Sequence, residues 1–535
     1  MILCMHMKKT RIFLLLLSSV MISSCTLVQH NSSGGSSNNN ETNTEGQVDD
    51  NSIQKGTILA PDYSYQVRKK KEDITIDDLF NLHNKVEILI NVDKEELDKI
   101  QEDNNRGHKP EIYHLAKEVT IKLTNNSQTF TWEFENVGIR QKGNLSREPV
   151  FDGNKVNTHN HYKLSFDETF TDTEMYSSDF IATYGNGEYG NREFLGLSGL
   201  DFKWNRNLDE TNVKEIYASY MYKSAGIISQ KVGLSSLKMK VGDDEVNFGV
   251  CFMFEPSSKS IIKRKFSENE KYINTPNWNI EKKGTFGVED KKYGDFYKST
   301  YGSGDKYSYG GGADLTSKSI QEKRVGVKTD IYGNNYPVYE RKTNKESTYG
   351  DTLIKGMVQT LNSGSYDNID TKVDLEYFAI EEAVSYYLGN PDSVRYNYNN
   401  YMMYFRRTDG KMMLLPIDND RTFGIGHTWD KGTTFGANVN TTPLSKKDVS
   451  GNTNRNPLFT KALLTSSDNA CKTLFMQYIN LIAESDWVKN DTFVRYFNIA
   501  KETYGELTTF NLSGGQDNMS FESYIAIKLE SVKKG

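Results

Sequence analysis

The chain has 535 residues, a formal charge of −6 at pH 7 and four cysteines. This length is enough for a large core or two lobes. The negative charge argues against a nucleic-acid partner, since such proteins present a basic surface. Beyond the first 25 residues only Cys251 and Cys471 remain, which excludes a disulfide framework or a cysteine zinc cluster and leaves a single bridge between them open.

The chain begins with the pattern of an export signal. A short basic stretch precedes an apolar run, 12–22, that is too short to cross a bilayer. The run ends in Ile22-Ser23-Ser24-Cys25, which resembles the lipobox of bacterial lipoproteins. That resemblance implies a signal peptide at 1–24 and diacylation of Cys25, so we expect an extracytoplasmic protein with a lipid anchor in a bacterial membrane. A plain secretory signal with a chance cysteine is the alternative.

Behind Cys25 the sequence predicts a flexible tether over residues 25–57. This stretch is mostly Ser, Asn, Gly, Thr and acidic residues, with almost no large apolar side chains. Such a segment cannot bury enough apolar surface to offset the entropy lost on ordering. We expect it to hold the folded part away from the membrane.

The remaining sequence predicts an α+β fold. Apolar runs and alternation predict strands in the first part. A helix capped by Asp93, with Glu96 three residues on, and a clear helix near 211–225 are predicted among them. The predicted strands are 86–92, 118–124, 128–139, 160–166, 234–241 and 246–254. Helical patterns dominate from about residue 350, and the predicted helices are 351–362, 374–388, 457–482 and 493–503. Residues 267–350 are predicted to be irregular. We therefore expect a strand-rich part, 58–265, and a helix-rich part, 266–535.

The segment 389–424 carries acids and amides at both ends of a predicted hairpin. Asp392 and Asn400 precede the first strand, and Asp418 and Asp420 follow the second. Because the two ends of a hairpin lie side by side, these four side chains are expected to meet. Carboxylate and amide oxygens suit a hard cation such as Mg²⁺. Two ordinary turns are the alternative, since Asp and Asn are common in turns.

The same segment resembles the CotH family of spore-coat protein kinases. The main matching motifs are Gly389-Asn390-Pro391-Asp392, then Tyr398-Asn399-Asn400-Tyr401-Met402-Met403-Tyr404-Phe405, then Leu415-Pro416-Ile417-Asp418-Asn419-Asp420-Arg421-Thr422-Phe423-Gly424. Further pieces lie at 140–146, 161–166, 250–255, 261–266 and 296–298. The resemblance implies an atypical, two-lobed protein-kinase-like fold. It also implies transfer of the ATP γ-phosphate to Ser or Thr of proteins on the cell surface or spore coat, with Mg²⁺ or Mn²⁺.

The resemblance also implies roles for particular residues. Asp392 is expected to be the catalytic aspartate, and Asn400, or alternatively Asn397, to bind the metal together with Asp418 and Asp420. A second set is expected to act on the nucleotide: Lys163 pairing with phosphate, Glu215 pairing with Lys163, and Arg140 and Lys298 also binding the nucleotide.

The sequence departs from ordinary kinases in three places. It has no Gly-x-Gly-x-x-Gly loop followed by Val-Ala-x-Lys, it has Asn-Pro-Asp where a His-Arg-Asp triplet is usual, and Asp418 is followed by Asn rather than Phe-Gly. A non-catalytic, surface-binding or structural lipoprotein on a kinase-like scaffold is therefore kept as an alternative. A glycoside hydrolase using Asp392 and Asp418 is disfavoured, because the Asn-rich spacing suits metal better than a general acid.

Overall fold

The structure is a computed structural model that describes most of the chain after the tether. The described residues are 56–105, 112–143, 147–266, 293–300, 313–321, 323–328, 337–345, 351–364, 366–407, 409–426, 439–465, 469–515 and 518–535. The predicted signal peptide, Cys25 and all but the last two residues of the tether lie outside them. The described residues all belong to one compact unit. Within them, no helix is both long and apolar enough to cross a bilayer.

The first half of the chain forms a closed seven-stranded barrel. Its strands and a small separate hairpin are β1 (Lys85–Val92), β2 (His114–Asn125), β3 (Gln128–Gln141), β4 (Phe151–Asp152), β5 (Lys155–Val156), β6 (Tyr162–Ser165), β7 (Gly199–Lys203), β8 (Val232–Val241) and β9 (Asp244–Phe254). The order around the barrel is β1-β2-β3-β6-β7-β9-β8, and the parallel pairing of β1 with β8 closes it. Alternate residues of β1 are buried, as expected for a strand with one face on a core.

A second sheet stands beside the barrel. Its strands are β10 (Phe296–Ser299), β11 (Val325–Gly326), β12 (Tyr339–Arg341), β13 (Tyr401–Phe405) and β14 (Met412–Pro416). They are arranged in the order β11-β12-β10-β13-β14. The last two form the predicted hairpin, and every residue in both is buried.

Twelve α-helices lie within the described residues. They are α1 (Ile76–Leu79), α2 (Lys94–Asn105), α3 (Ser178–Tyr184), α4 (Lys214–Ser224), α5 (Ser260–Lys263), α6 (Thr352–Ser363), α7 (Tyr366–Asp370), α8 (Leu375–Leu388), α9 (Pro457–Phe459), α10 (Ala470–Glu484), α11 (Asn490–Tyr504) and α12 (Phe521–Lys533). Local sequence sets the ends of α8. The Asp374 side chain accepts a hydrogen bond from Tyr377 N, and Gly389 ends the helix at a φ of 61°.

Helix α4 links the barrel to the helical core. Its Tyr217 ring packs edge-on against the rings of Trp487, Phe493 and Phe521. Its apolar residues belong to the same core cluster as Phe252 of the barrel and the helices α8, α10, α11 and α12. A separate core fills the barrel. This packing fixes α4 between the barrel and the segment that follows β14.

The α+β prediction is confirmed, but several elements differ from expectation. Strand β7 was not predicted, and β10, β11 and β12 lie in the segment that we expected to be irregular. The predicted helix 457–482 is wrong as one unit: a π-helical turn covers Thr460–Leu464, and Asn469 has an extended backbone and caps α10. Helix α12 was also missed.

Candidate active site

The two ends of the β13–β14 hairpin are tied together. Tyr401 pairs with Pro416, and Ile417 N donates to Asn400 O at 3.1 Å. The side chain of Asn390 donates from Nδ2 to Asp418 O at 3.2 Å. The loop that precedes β13 and the loop that follows β14 are therefore neighbours, as predicted from the hairpin.

Asp392 is held by two asparagine amides. Asn397 Nδ2 donates to Asp392 Oδ1 at 2.6 Å, and Asn400 Nδ2 donates to Asp392 Oδ2 at 3.0 Å. Burial raises the pKa of Asp392 to about 6, with the hydrogen bond from Asn397 opposing the rise and the charges of Asp418 and Asp420 adding to it. The carboxylate is thus fixed in orientation and more basic than an ordinary aspartate.

A lysine lies between the two acids that follow β14. Lys203, the last residue of β7, places its Nζ 2.5 Å from Asp418 Oδ1 and 2.9 Å from Asp420 Oδ2. Burial by itself would lower the pKa of Lys203, but the carboxylates of Asp418, Asp420 and Glu215 outweigh it and hold that pKa well above its usual value. Burial likewise opposes ionisation of Asp418, yet Lys203 and Lys142 lower its pKa.

Glu215 on α4 is the third acid beside this lysine. Its Oε2 lies 4.0 Å from Lys203 Nζ, and the side chain is almost fully buried. Burial raises the pKa of Glu215 to about 8, against the attraction of Lys203 and with added repulsion from Asp420 and Asp418. Glu215 is therefore protonated more readily than an ordinary glutamate, and its contact with Lys203 is the longest of the three.

Further lysines face the same region from both sheets. Lys142 and Lys163 lie 3.1 Å and 3.8 Å from the carboxylate of Asp201 on β7. Burial lowers the pKa of Lys298 on β10 to about 8, and repulsion from Lys342, Lys142 and Lys163 adds to the effect. Lys142 and Lys298 also lower the pKa of Asp418, so they act on the first of the two acids that follow β14. We call Lys142, Lys163 and Lys298 the lysine cluster, and ammonium groups of this kind are suited to pair with an anion.

Several buried polar atoms around these lysines have no protein partner within the described part of the chain. They are His161 Nδ1, Trp204 Nε1 and Glu215 Oε1. The rings of His161 and Trp204 are stacked, and burial together with Lys203 and Lys142 holds the pKa of His161 well below its usual value. Buried polar groups are normally hydrogen-bonded, so this concentration indicates a place that receives water or a ligand.

The structure changes one expected pairing, that of Lys163 with Glu215. Lys163 lies near Asp201, while the lysine beside Glu215 is Lys203, which the sequence argument missed. Arg140 lies opposite Lys163 in the β3–β6 pairing, and its guanidinium lies 5.1 Å from the ring centre of Tyr113. A signal for β7 was present: Gly-Leu-Asp-Phe-Lys at 199–203 alternates apolar and charged residues.

The oxygen donors fit a hard cation, although a carboxylate cluster is not preassembled. Among the residues that the structure describes, no group of three or more His, Cys, Asp or Glu side chains is placed to hold a metal ion. The ammonium group of Lys203 lies between Asp418 and Asp420, where a cation bound to both would lie. The nearby Asn400 amide supplies a further oxygen donor of the type Mg²⁺ accepts.

The backbone around these side chains is unusual. Tyr398, Asn400, Asp418 and Phe423 all have φ between 54° and 58°. Left-handed conformations at such residues are costly and cluster at sites whose surroundings hold them in place. Four such residues lie within one hairpin and its flanking loops, so the packing around this hairpin must hold its backbone in place.

Comparison with known proteins agrees with the resemblance noted from the motifs. The family model described as CotH kinase protein matches residues 139–486. No match is found among curated proteins. The matched range covers more than half of the chain and contains Lys203, Glu215, Asp392 and both acids after β14. The chain therefore belongs to the CotH kinase protein family.

Proposed function

We propose that this protein is an ATP-dependent protein kinase that transfers the γ-phosphate to Ser or Thr of proteins on the cell surface or spore coat. We place it outside the cytoplasm, tethered through a lipidated Cys25 to a bacterial membrane. The observation that carries the proposal is Asp392, oriented by two amides beside an acidic pair and a lysine cluster. Family membership supports the reaction class.

Asp392 is the candidate general base. As the substrate hydroxyl oxygen attacks the γ-phosphorus, its proton passes to the Asp392 carboxylate. The bond from the γ-phosphorus to the bridging oxygen breaks, and its electron pair leaves with ADP. A pKa of about 6 leaves Asp392 ionised at neutral pH while making it a better proton acceptor than a free aspartate.

The nucleotide phosphates are assigned to the space beside the acids. Asp418, Asp420 and Asn400 would hold Mg²⁺ or Mn²⁺, which when bound neutralises charge on the transferring phosphate. Lys142, Lys163 and Lys298 would compensate the remaining phosphate charge. In the absence of metal, Lys203 neutralises the same two acids, which keeps the carboxylates close together.

A kinase-like, two-lobed arrangement belongs to the same proposal. The barrel with α4 would form one lobe, and the second sheet with the later helices the other. Lys203 on β7 and Glu215 on α4 would stand for the strand lysine and helix glutamate of ordinary kinases. The boundary predicted from the sequence, near residue 265, stays a prediction.

Calorimetry with ATP and either metal tests the proposal on residues 26–535. We expect metal-dependent nucleotide binding that Asp418→Ala abolishes. Asp392→Asn is expected to bind ATP with an affinity within about threefold of the wild type, while ADP release falls by about 10²–10⁴-fold because the base is lost. The matched control is Asp486→Asn, which alters only an exposed pair with Lys489.

Two results would count against the proposal. Absence of ATP binding at millimolar concentration with both metals would exclude the kinase and leave the non-catalytic, surface-binding alternative. Undiminished ADP release from Asp392→Asn would show that another group accepts the proton.

A further inference from the structure

The C-terminal segment of the chain returns to the acidic turn. We use "C-terminal segment" for the described residues 505–515 and 518–533, and "acidic turn" for residues 418–426. Gly426 N donates to Asn518 Oδ1 at 2.8 Å, and Met519 N donates to Gly424 O at 3.0 Å. The C-terminal segment lies beyond the range that matches the family, which ends at residue 486.

The same residues of the C-terminal segment also hold the start of α4. Asn518 Nδ2 donates to Leu208 O at 2.8 Å and lies 3.2 Å from Asn207 O, in the loop that precedes the helix. Lys214, the first residue of α4 and fully buried, donates from Nζ to Met519 O at 2.7 Å. Glu215 is the next residue. Asn518 and Met519 therefore contact both the acidic turn and the helix that carries the third acid.

Packing reinforces these hydrogen bonds. The Phe423 ring lies 5.2 Å from the ring of Phe521 and 5.9 Å from that of Tyr524. Phe423 and Gly424 both have positive φ, so the acidic turn adopts a backbone conformation that its surroundings must maintain. A Cβ at Gly424 would stand 2.8 Å from Met519 Cβ, which leaves no room for movement on that side.

We propose that the C-terminal segment is a positioning element, in which Asn518 fixes the acidic turn against α4 so that Asp418, Asp420 and Glu215 converge on Lys203. The catalytic consequence rests on the proposed kinase function, whereas the structural coupling does not. Asn518 can do this because its side-chain amide both accepts and donates. Its Oδ1 accepts from Gly426 N in the acidic turn, and its Nδ2 donates to Leu208 O in the loop before α4.

Hydrogen exchange tests the structural coupling without any assumption about activity. In the chain from residue 26 to 535, Asn518→Ala should speed exchange of the amides in 419–426 by about tenfold, the loss expected from one neutral hydrogen bond. The matched control is Asn511→Ala, in the same segment, whose side chain reaches only exposed groups of Glu210 and Ser513. Exchange in 419–426 within twofold of the wild type in Asn518→Ala would overturn the proposal.

Nucleotide binding tests the catalytic consequence. Asn518→Ala should weaken Mg²⁺–ATP binding by about tenfold at unchanged stoichiometry, because a displaced acid binds more weakly. A variant that merely unfolds in part would show lower stoichiometry at unchanged Kd. Faster exchange with unchanged Kd would overturn the positioning role. If the wild type binds no nucleotide, the kinase proposal fails, and exchange alone decides the coupling. Asn518→Ser, expected to act in the same direction, replaces Asn518→Ala if that variant does not fold.

Discussion

Replacing Lys203 by Met tests whether this lysine holds the three acids Asp418, Asp420 and Glu215 together. Met keeps most of the apolar stem of Lys203, which is 8% exposed, and removes the charge. The change leaves Asp418, Asp420 and Glu215 together without the cation that lies 2.5, 2.9 and 4.0 Å from them. We expect a lower free energy of unfolding and a stronger response to divalent metal.

The expected magnitude follows from how exposed the acids are. Removing one partner of a fully buried ion pair costs about 3–5 kcal/mol. The side chains of Asp418 and Asp420 are 40% and 28% exposed, so solvent screens part of the unbalanced charge. We therefore expect the free energy of unfolding of Lys203→Met to be about 2 kcal/mol lower than that of the wild type at neutral pH and low salt.

Urea unfolding with and without Mg²⁺ or Mn²⁺ measures both effects. Metal at ten times its Kd should return about 1.4 kcal/mol to Lys203→Met, since it binds the folded acids. The matched control is Lys238→Met, another barrel lysine, whose pair with Glu245 is exposed; it should change stability by less than about 0.5 kcal/mol. If the free energy of unfolding falls no more in Lys203→Met than in Lys238→Met, the view that Lys203 stabilises the three acids by its charge is refuted.

Two further predictions concern the lysine cluster and the end of α8. Burial lowers the pKa of Lys298 to about 8, below the ordinary 10.5, so the group loses its charge as pH rises through 8. At a fixed, saturating Mg²⁺ concentration, the ATP affinity measured by calorimetry should fall between about pH 7 and 9, and it should fall less steeply in Lys298→Met; equal slopes would contradict the assignment. Folding favours the uncharged lysine, so the contribution of Lys298 to stability rises over about pH 8–10.5. Gly389→Ala should cost about 2 kcal/mol or more in urea unfolding, because φ is 61° and the new Cβ would lie 2.0 Å from Tyr524 Oη. Gly356→Ala, in the open middle of α6, should instead add about 0.5–1 kcal/mol, and a similar loss at both glycines would count against the steric argument.

The parts of the site that could be predicted from sequence are those set by local chemistry. Asp374 and Gly389 mark the ends of α8. The β13–β14 hairpin brings the residues before its first strand close to those after its second, because the two strands pair. Asp392, Asn400 and Asp418 are neighbours for that reason alone. Such contacts depend on caps, turns and period-two alternation, which are visible in a short stretch of residues.

Lys203 could not be found in the same way. Its distance from Asp418 in the chain is more than 200 residues, and the two meet only because the barrel closes with β7 beside the acidic turn. Lys163 pairs with Asp201 across the sheet and Lys203 follows Asp201 by two residues in the sequence, so local pattern alone gives no reason to prefer either lysine. The choice between them is made by barrel closure and the packing of α4, which are non-local.

The contact between Lys203 and the two acids also bears on how metal and nucleotide would bind. A lysine and a divalent cation that use the same carboxylates compete, so metal can bind both acids only if Lys203 Nζ leaves at least one of them. Glu215 lies 4.0 Å away, and its Oε1 has no partner among the described residues. If the ammonium group moved towards it, the pKa of Glu215 would fall. Metal affinity should therefore be higher in Lys203→Met than in the wild type, while ATP affinity should be lower. Higher metal affinity together with lower ATP affinity would show that Lys203 takes part in nucleotide binding. Higher metal affinity with unchanged ATP affinity would show that Lys203 only balances the charge of the acids in the folded protein.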